Sequence, residues 1–117
     1  MTYKQGYSTM FYLLSEYYFK NTNSSDLAVL LGSMNPEIFE DSKAVDFAYW
    51  EDWKRILKEK EIMESMSIDN LLDSIIAFLE FYQKTFDFKL SEVLEKVKEL
   101  SNESELLVKC INKKMDK

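Results

Sequence analysis

Residues 67–88 read SIDNLLDSIIAFLEFYQKTFDF, and this stretch decides the fold class. Its apolar side chains recur at intervals of three and four, which is the period of an α-helix with one buried face. These side chains are Ile68, Leu71, Leu72, Ile75, Leu79 and Tyr82. Ser67 precedes them and can cap the helix by accepting a hydrogen bond from the backbone N–H of Asn70. The pattern predicts a long core helix that ends at the turn 86–88.

The segments on both sides of this stretch show the same period. Apolar stripes predict helices over about 4–20, 26–34, 47–60, 90–100 and 106–115. Polar breaks separate them, and Asp46 is expected to cap the third helix. No Gly/Ser-rich linker divides the 117 residues. We therefore expect one all-α domain over 1–117, a single-domain bundle of five or six helices with short loops.

The composition excludes several kinds of chemistry. The chain has no histidine, one cysteine and two glycines. Without histidine, the commonest general base and metal ligand is missing, as are Ser-His and Cys-His nucleophile pairs. Gly6 and Gly32 are too far apart to form a nucleotide-binding loop. The lone Cys110 cannot form an internal disulfide and is expected in the core. We expect no enzyme, no cofactor and no metal site.

The charge balance bears on partners and location. The formal net charge is −6, from 21 acidic and 15 basic side chains. This balance disfavours nucleic-acid binding, which requires a cationic surface, and is compatible with a basic protein partner. The sequence contains no run of about 20 apolar residues, and its first residues show no signal-peptide cleavage site. We therefore expect a cytoplasmic protein that binds neither nucleic acid nor membranes.

Residues 37–53 combine part of the excess acid with aromatic side chains. The acidic residues of this segment are Glu37, Glu40, Asp41, Asp46, Glu51 and Asp52, against the single basic Lys43. In protein interfaces, aromatic rings supply buried contact area, and carboxylates supply steering and pairing with Arg or Lys. Trp50 and Trp53 are three residues apart and are expected on the core face of one helix. Glu51 and Asp52 are then expected to point toward solvent.

Three stretches together are similar to a group of small bacterial proteins. Residues 6–18 read GYSTMFYLLSEYY, residues 24–34 read SSDLAVLLGSM, and residues 46–53 read DFAYWEDW. The group has an aromatic first helix, a Ser-Asp-Asp…Leu-Leu-Gly turn and helix, and an Asp-Pro-Ala-x-Trp-x-Asp-Trp segment. Ser25 and Phe47 depart from that pattern. Over residues 6–57, the chain resembles immunity proteins of polymorphic toxin systems, including contact-dependent growth inhibition.

The resemblance implies a non-enzymatic binder that neutralises a toxin domain and so protects the producing cell. Many toxin domains are basic nucleases, and an acidic inhibitor can occupy a cleft that receives phosphates. The candidate partner contacts are then Asp26, Glu37, Glu40, Asp41, Tyr49, Glu51 and Asp52. The main alternative is a helical adaptor or regulatory protein that binds a partner helix through its Met and Tyr positions. A small enzyme that uses carboxylates alone is a third hypothesis.

Overall fold

The computed structural model describes residues 2–21, 25–34, 47–62, 65–100 and 109. Within these ranges the chain forms five helices and no strand, which confirms the predicted all-α class. The helices are α1 (Tyr3–Asn21), α2 (Ser25–Met34), α3 (Phe47–Glu59), α4 (Ile68–Phe86) and α5 (Ser91–Lys98). In this part of the chain, none of the helices is long and apolar enough to cross a membrane. The expected Asp46 cap, the expected last helix and Cys110 lie outside the described residues.

Helix α4 is the central element, because it buries side chains against two neighbours. Leu71, Ile75 and Phe78 have no exposed surface, and α4 packs against both α3 and α5. The predicted cap is confirmed: Ser67 Oγ accepts a hydrogen bond from the backbone N–H of Asn70 at 3.1 Å. The helix ends where Asp87 adopts the left-handed conformation, with φ 57° and ψ 31°. This residue turns the chain back toward α5.

Trp53 joins α1 to α3 in the core. Its side chain is fully buried, as predicted, and its Nε1 donates a hydrogen bond to the carbonyl oxygen of Tyr3 at 3.0 Å. The indole ring makes edge contacts with Tyr7 and Phe78, at centroid distances of 6.3 and 5.9 Å. Trp50 is only partly buried and contacts Tyr7 edge-on at 5.5 Å. Of the two predicted core tryptophans, Trp53 therefore holds the central position.

The two glycines lie in helices but in different surroundings, and this difference gives a stability prediction. A Cβ at Gly32 would have no atom within 4 Å, whereas one at Gly6 would lie 3.0 Å from Met66 Cε and 3.4 Å from Trp53 Cζ2. Gly32→Ala should therefore raise the free energy of unfolding by about 0.5–1 kcal/mol, the helix-propensity gain of alanine over glycine. Gly6→Ala should give no gain, because the added methyl group displaces Met66. Urea denaturation of the two variants provides the test, and equal stabilisation would contradict the packing at Gly6.

Candidate functional site

Tyr82 and four further aromatic rings gather where α4 ends, beside the core ring of Phe78, which lies 4.9 Å from Tyr82. Tyr49 of α3 stacks on Tyr82 with ring centroids 4.8 Å apart and an interplanar angle of 2°. Phe86 stacks on Tyr82 at 5.2 Å, and Phe88 lies 6.3 Å from it. Phe81 contacts Tyr82 edge-on at 5.2 Å. We call these five residues the Tyr82 cluster.

The local sequence explains how this cluster comes together. Tyr82 and Phe86 are four residues apart, so they lie one above the other on the same face of α4. Phe86 is the last residue of the helix, and the left-handed Asp87 returns the chain so that Phe88 approaches Phe86 at 6.2 Å. The core side of the cluster is covered, since Tyr82 is only 2% exposed, whereas Phe86 is 53% exposed. The cluster therefore exposes the ring of Phe86 to solvent, and this ring stacks on the buried ring of Tyr82.

The carboxylate of Asp52 is hydrogen-bonded to Tyr82, the buried ring of the cluster. The Tyr82 hydroxyl donates a hydrogen bond to Asp52 Oδ2 at 2.5 Å. The other oxygen, Oδ1, lies 3.7 Å from Nη2 of Arg55, and the Arg55 guanidinium lies 4.4 Å above the ring centroid of Phe81. The expectation that Asp52 points toward solvent is therefore wrong, because its carboxylate is drawn to a phenol that α4 brings alongside α3.

Burial and the Asp52 carboxylate together alter the acidity of Tyr82. Burial disfavours the charged phenolate and raises the pKa of Tyr82 far above its ordinary value. The hydrogen bond to Asp52 and the negative charge of that carboxylate raise the pKa further. Tyr82 therefore stays protonated in the folded protein at neutral and alkaline pH, and its hydroxyl remains a hydrogen-bond donor.

This raised pKa predicts a loss of stability at alkaline pH. An unfolded tyrosine releases its proton near pH 10, whereas folded Tyr82 keeps it, so its contribution is complete below about pH 10 and falls above it. Between about pH 9 and about pH 11, the wild type should lose about 1 kcal/mol more stability than Tyr82→Phe. Urea denaturation of both proteins at the two pH values measures this difference. Parallel losses in the two proteins would contradict the assigned environment of Tyr82.

Asp26, near the start of α2, binds the segment that connects α4 to α5. Its Oδ2 accepts a hydrogen bond from the backbone N–H of Lys89 at 2.7 Å, across 63 residues of sequence. Lys89 directly follows Phe88, so this bond fixes the chain next to the Tyr82 cluster. An acidic residue in the first turn also suits the positive end of the helix.

The structure thus brings together three of the residues predicted from sequence. Asp26, Tyr49 and Asp52 all contact the Tyr82 cluster or the turn that carries it. Glu51 is not part of this arrangement; it is exposed, as expected, and its Oε1 lies 3.1 Å from Nζ of Lys54. The remaining predicted contacts, Glu37, Glu40 and Asp41, lie outside the described residues.

The acidic character of the predicted segment is weaker on α3 than its sequence suggested. Residues 47–62 hold four acidic and four basic side chains, so their formal charges cancel. Lys54 and Arg55 follow Glu51 and Asp52 by three positions and lie close to their carboxylates. The uncompensated acid of segment 37–53 is therefore concentrated before residue 47.

Phe86 and Phe88 were missed as candidate site residues, although the turn between them was predicted. Sequence periodicity places Phe86 on the same face of α4 as Tyr82, but it does not show that the ring is exposed where the helix ends. Two phenylalanines flanking an aspartate in a turn were the available signal, because turns run over the surface and large apolar side chains are uncommon there.

A polar groove of about 570 Å³ also lies between α4 and α5. Its lining includes the carboxylates of Glu80, Asp87 and Glu95 and the ammonium groups of Lys84 and Lys98. These opposite charges nearly balance, so the groove favours no ligand of a single charge. Within the described ranges, no group of three or more acidic or cysteine side chains is arranged to hold a metal ion.

Comparison with known proteins found no relative of this chain. The chain matches no protein-family model, no curated protein and no solved structure.

Proposed function

We propose that the protein is a non-enzymatic immunity protein that binds and neutralises a cognate bacterial toxin domain. The binding surface is the exposed ring of Phe86 with the Tyr82 cluster around it. The observation that carries this proposal is the exposure of Phe86, which is 53% accessible while it stacks on the buried ring of Tyr82. The resemblance of residues 6–57 to immunity proteins supplies the class of partner.

The surface has the physical properties of a binding hot spot. Aromatic side chains dominate the energetics of many protein interfaces, and they act best where the surrounding contacts exclude water. Phe86 is already held by Tyr82 at 5.2 Å and by Phe81 at 6.3 Å. A ring that is ordered before binding loses little conformational entropy when a partner covers it. Phe86 is therefore suited to insert into an apolar pocket of a partner.

Charge supports the choice of a basic partner. The net charge of −6 favours association with a cationic surface. Glu37, Glu40, Asp41 and Glu51 are the carboxylates that we propose for steering and for pairing with Arg or Lys of the partner. A basic nuclease domain has such a surface, because it must hold phosphates.

Co-expression tests this proposal. The C-terminal domain encoded by the neighbouring gene is expressed alone and together with this protein, and growth and co-purification are measured. Rescue of growth with recovery of a complex is the expected result. If the two proteins do not interact and growth is not rescued, the proposal is wrong. Binding to a partner helix without any toxin gene nearby would instead favour the adaptor hypothesis.

A further inference from the structure

Two of the carboxylates predicted to contact the partner are already engaged within the fold. Asp26 Oδ2 accepts a hydrogen bond from the backbone N–H of Lys89 at 2.7 Å. Asp52 Oδ2 accepts one from the Tyr82 hydroxyl at 2.5 Å. The first bond holds the residue after Phe88, and the second holds the ring on which Phe86 stacks. Both aspartates therefore act on the short turn that presents Phe86.

We propose that Asp26 and Asp52 are positioning residues: Asp26 holds Lys89 in the turn 86–89, Asp52 holds the Tyr82 ring on which Phe86 stacks, and together they fix the Phe86 ring in the orientation that the partner recognises. This inference rests on the proposed function and changes the role of the two aspartates within it. Their carboxylates affect binding through the turn and the Tyr82 ring, not through contact with a basic group of the partner.

The long sequence separations show why the turn needs these bonds. Helix α4 ends at Phe86 and α5 begins at Ser91, so the four residues that connect them lie outside regular helix. Asp26 belongs to α2 and Asp52 to α3, which are distant parts of the chain. The Asp26 bond therefore ties the turn to α2, and the Asp52 bond ties Tyr82 of α4 to α3. Together they restrict how Phe86 can move.

Alanine and asparagine substitutions separate positioning from direct electrostatic contact. Asparagine removes the charge but keeps a side-chain oxygen that can accept the same hydrogen bond, whereas alanine removes both. If the aspartates position the turn, Asp26→Ala and Asp52→Ala should each raise the Kd for the toxin domain at least about tenfold, the scale of a lost charge-assisted hydrogen bond. The asparagine variants should stay within about threefold of the wild type and should keep its salt dependence of association.

Direct contact between these carboxylates and a basic partner predicts a different pattern, in which the alanine and asparagine variants behave alike. Both kinds of variant would then bind weakly, with slower association and a reduced dependence on salt. That result would overturn the inference while leaving the proposed function intact. Asp73→Ala is the matched control, because it removes one exposed carboxylate of α4 away from the turn. Ser67→Ala controls for stability alone, since it removes the cap at the other end of α4.

A second measurement does not depend on the partner. In NMR spectra of the isolated protein, the ring resonances of Phe86 and Phe88 should shift in the alanine variants and stay near their wild-type positions in the asparagine variants. Unchanged resonances in Asp26→Ala and Asp52→Ala would overturn the inference even if no toxin domain binds. Absence of binding by the wild type would contradict the proposed function separately.

Discussion

Replacing Trp53 with alanine should lower the free energy of unfolding by about 4 kcal/mol, which lies within the range observed for large-to-small changes at fully buried aromatic positions. Trp53 has no exposed surface, and its ring fills the space between Tyr7 of α1 and Phe78 of α4. The substitution also leaves the carbonyl of Tyr3 without the donor at 3.0 Å. Urea denaturation followed by circular dichroism measures the loss.

Two variants show which part of the tryptophan matters. Trp53→Phe keeps most of the apolar ring and loses the Nε1 donor, so it should cost clearly less than alanine, about 1–2 kcal/mol. Trp50→Ala removes a ring that is only partly buried and should also cost less than Trp53→Ala. Equal losses for the two alanine variants would contradict the central position of Trp53 between three helices.

Replacing Phe86 with alanine should weaken binding to the toxin domain at least about thirtyfold, which corresponds to about 2 kcal/mol and is the effect of removing an interface hot spot. Because more than half of the ring is exposed, the same change should lower the stability of the isolated protein by only about 1 kcal/mol. Calorimetric titration and urea denaturation of the same variant measure the two effects.

Val29→Ala is a useful control for this prediction. Val29 is 56% exposed, much like Phe86, but it lies on α2. Its substitution should leave the Kd within about twofold, because most exposed apolar side chains contribute little to recognition. A large effect of Val29→Ala with none of Phe86→Ala would place the interface on α2 instead.

Local sequence patterns were sufficient to predict most of the described fold. The three-and-four spacing of residues 68–82 predicted α4, and the hydroxyl of Ser67 predicted its start, because both depend only on neighbours along the chain. The turn at 86–88 and the buried position of Trp53 followed from the same kind of reasoning. Helix periodicity and capping are short-range properties, so one sequence is enough to recognise them.

The candidate site depended on contacts that no local pattern contains. Asp52 and Tyr82 are 30 residues apart, and Asp26 and Lys89 are 63 apart. The core-facing positions on either side of Asp52 suggested that Asp52 faces solvent. The Tyr82 hydroxyl reaches its carboxylate only because α4 packs beside α3. In the same way, the exposure of Phe86 depends on which helices cover the end of α4. The sequence therefore predicted Asp26, Tyr49 and Asp52 as candidates, but not the Tyr82 ring that Tyr49 and Asp52 contact or the turn that Asp26 binds.

The most direct measurement of the central claim is an NMR titration of the labelled protein with the proposed toxin partner, the C-terminal domain encoded by the neighbouring gene. We expect the largest chemical-shift changes at Phe86 and Phe88, with smaller changes at Tyr49, Tyr82 and Lys89. Residues at the far end of α4, near Ser67, should not change. Saturable binding whose shift changes cluster near Ser67 and leave Phe86 untouched would contradict the account, as would the absence of any binding.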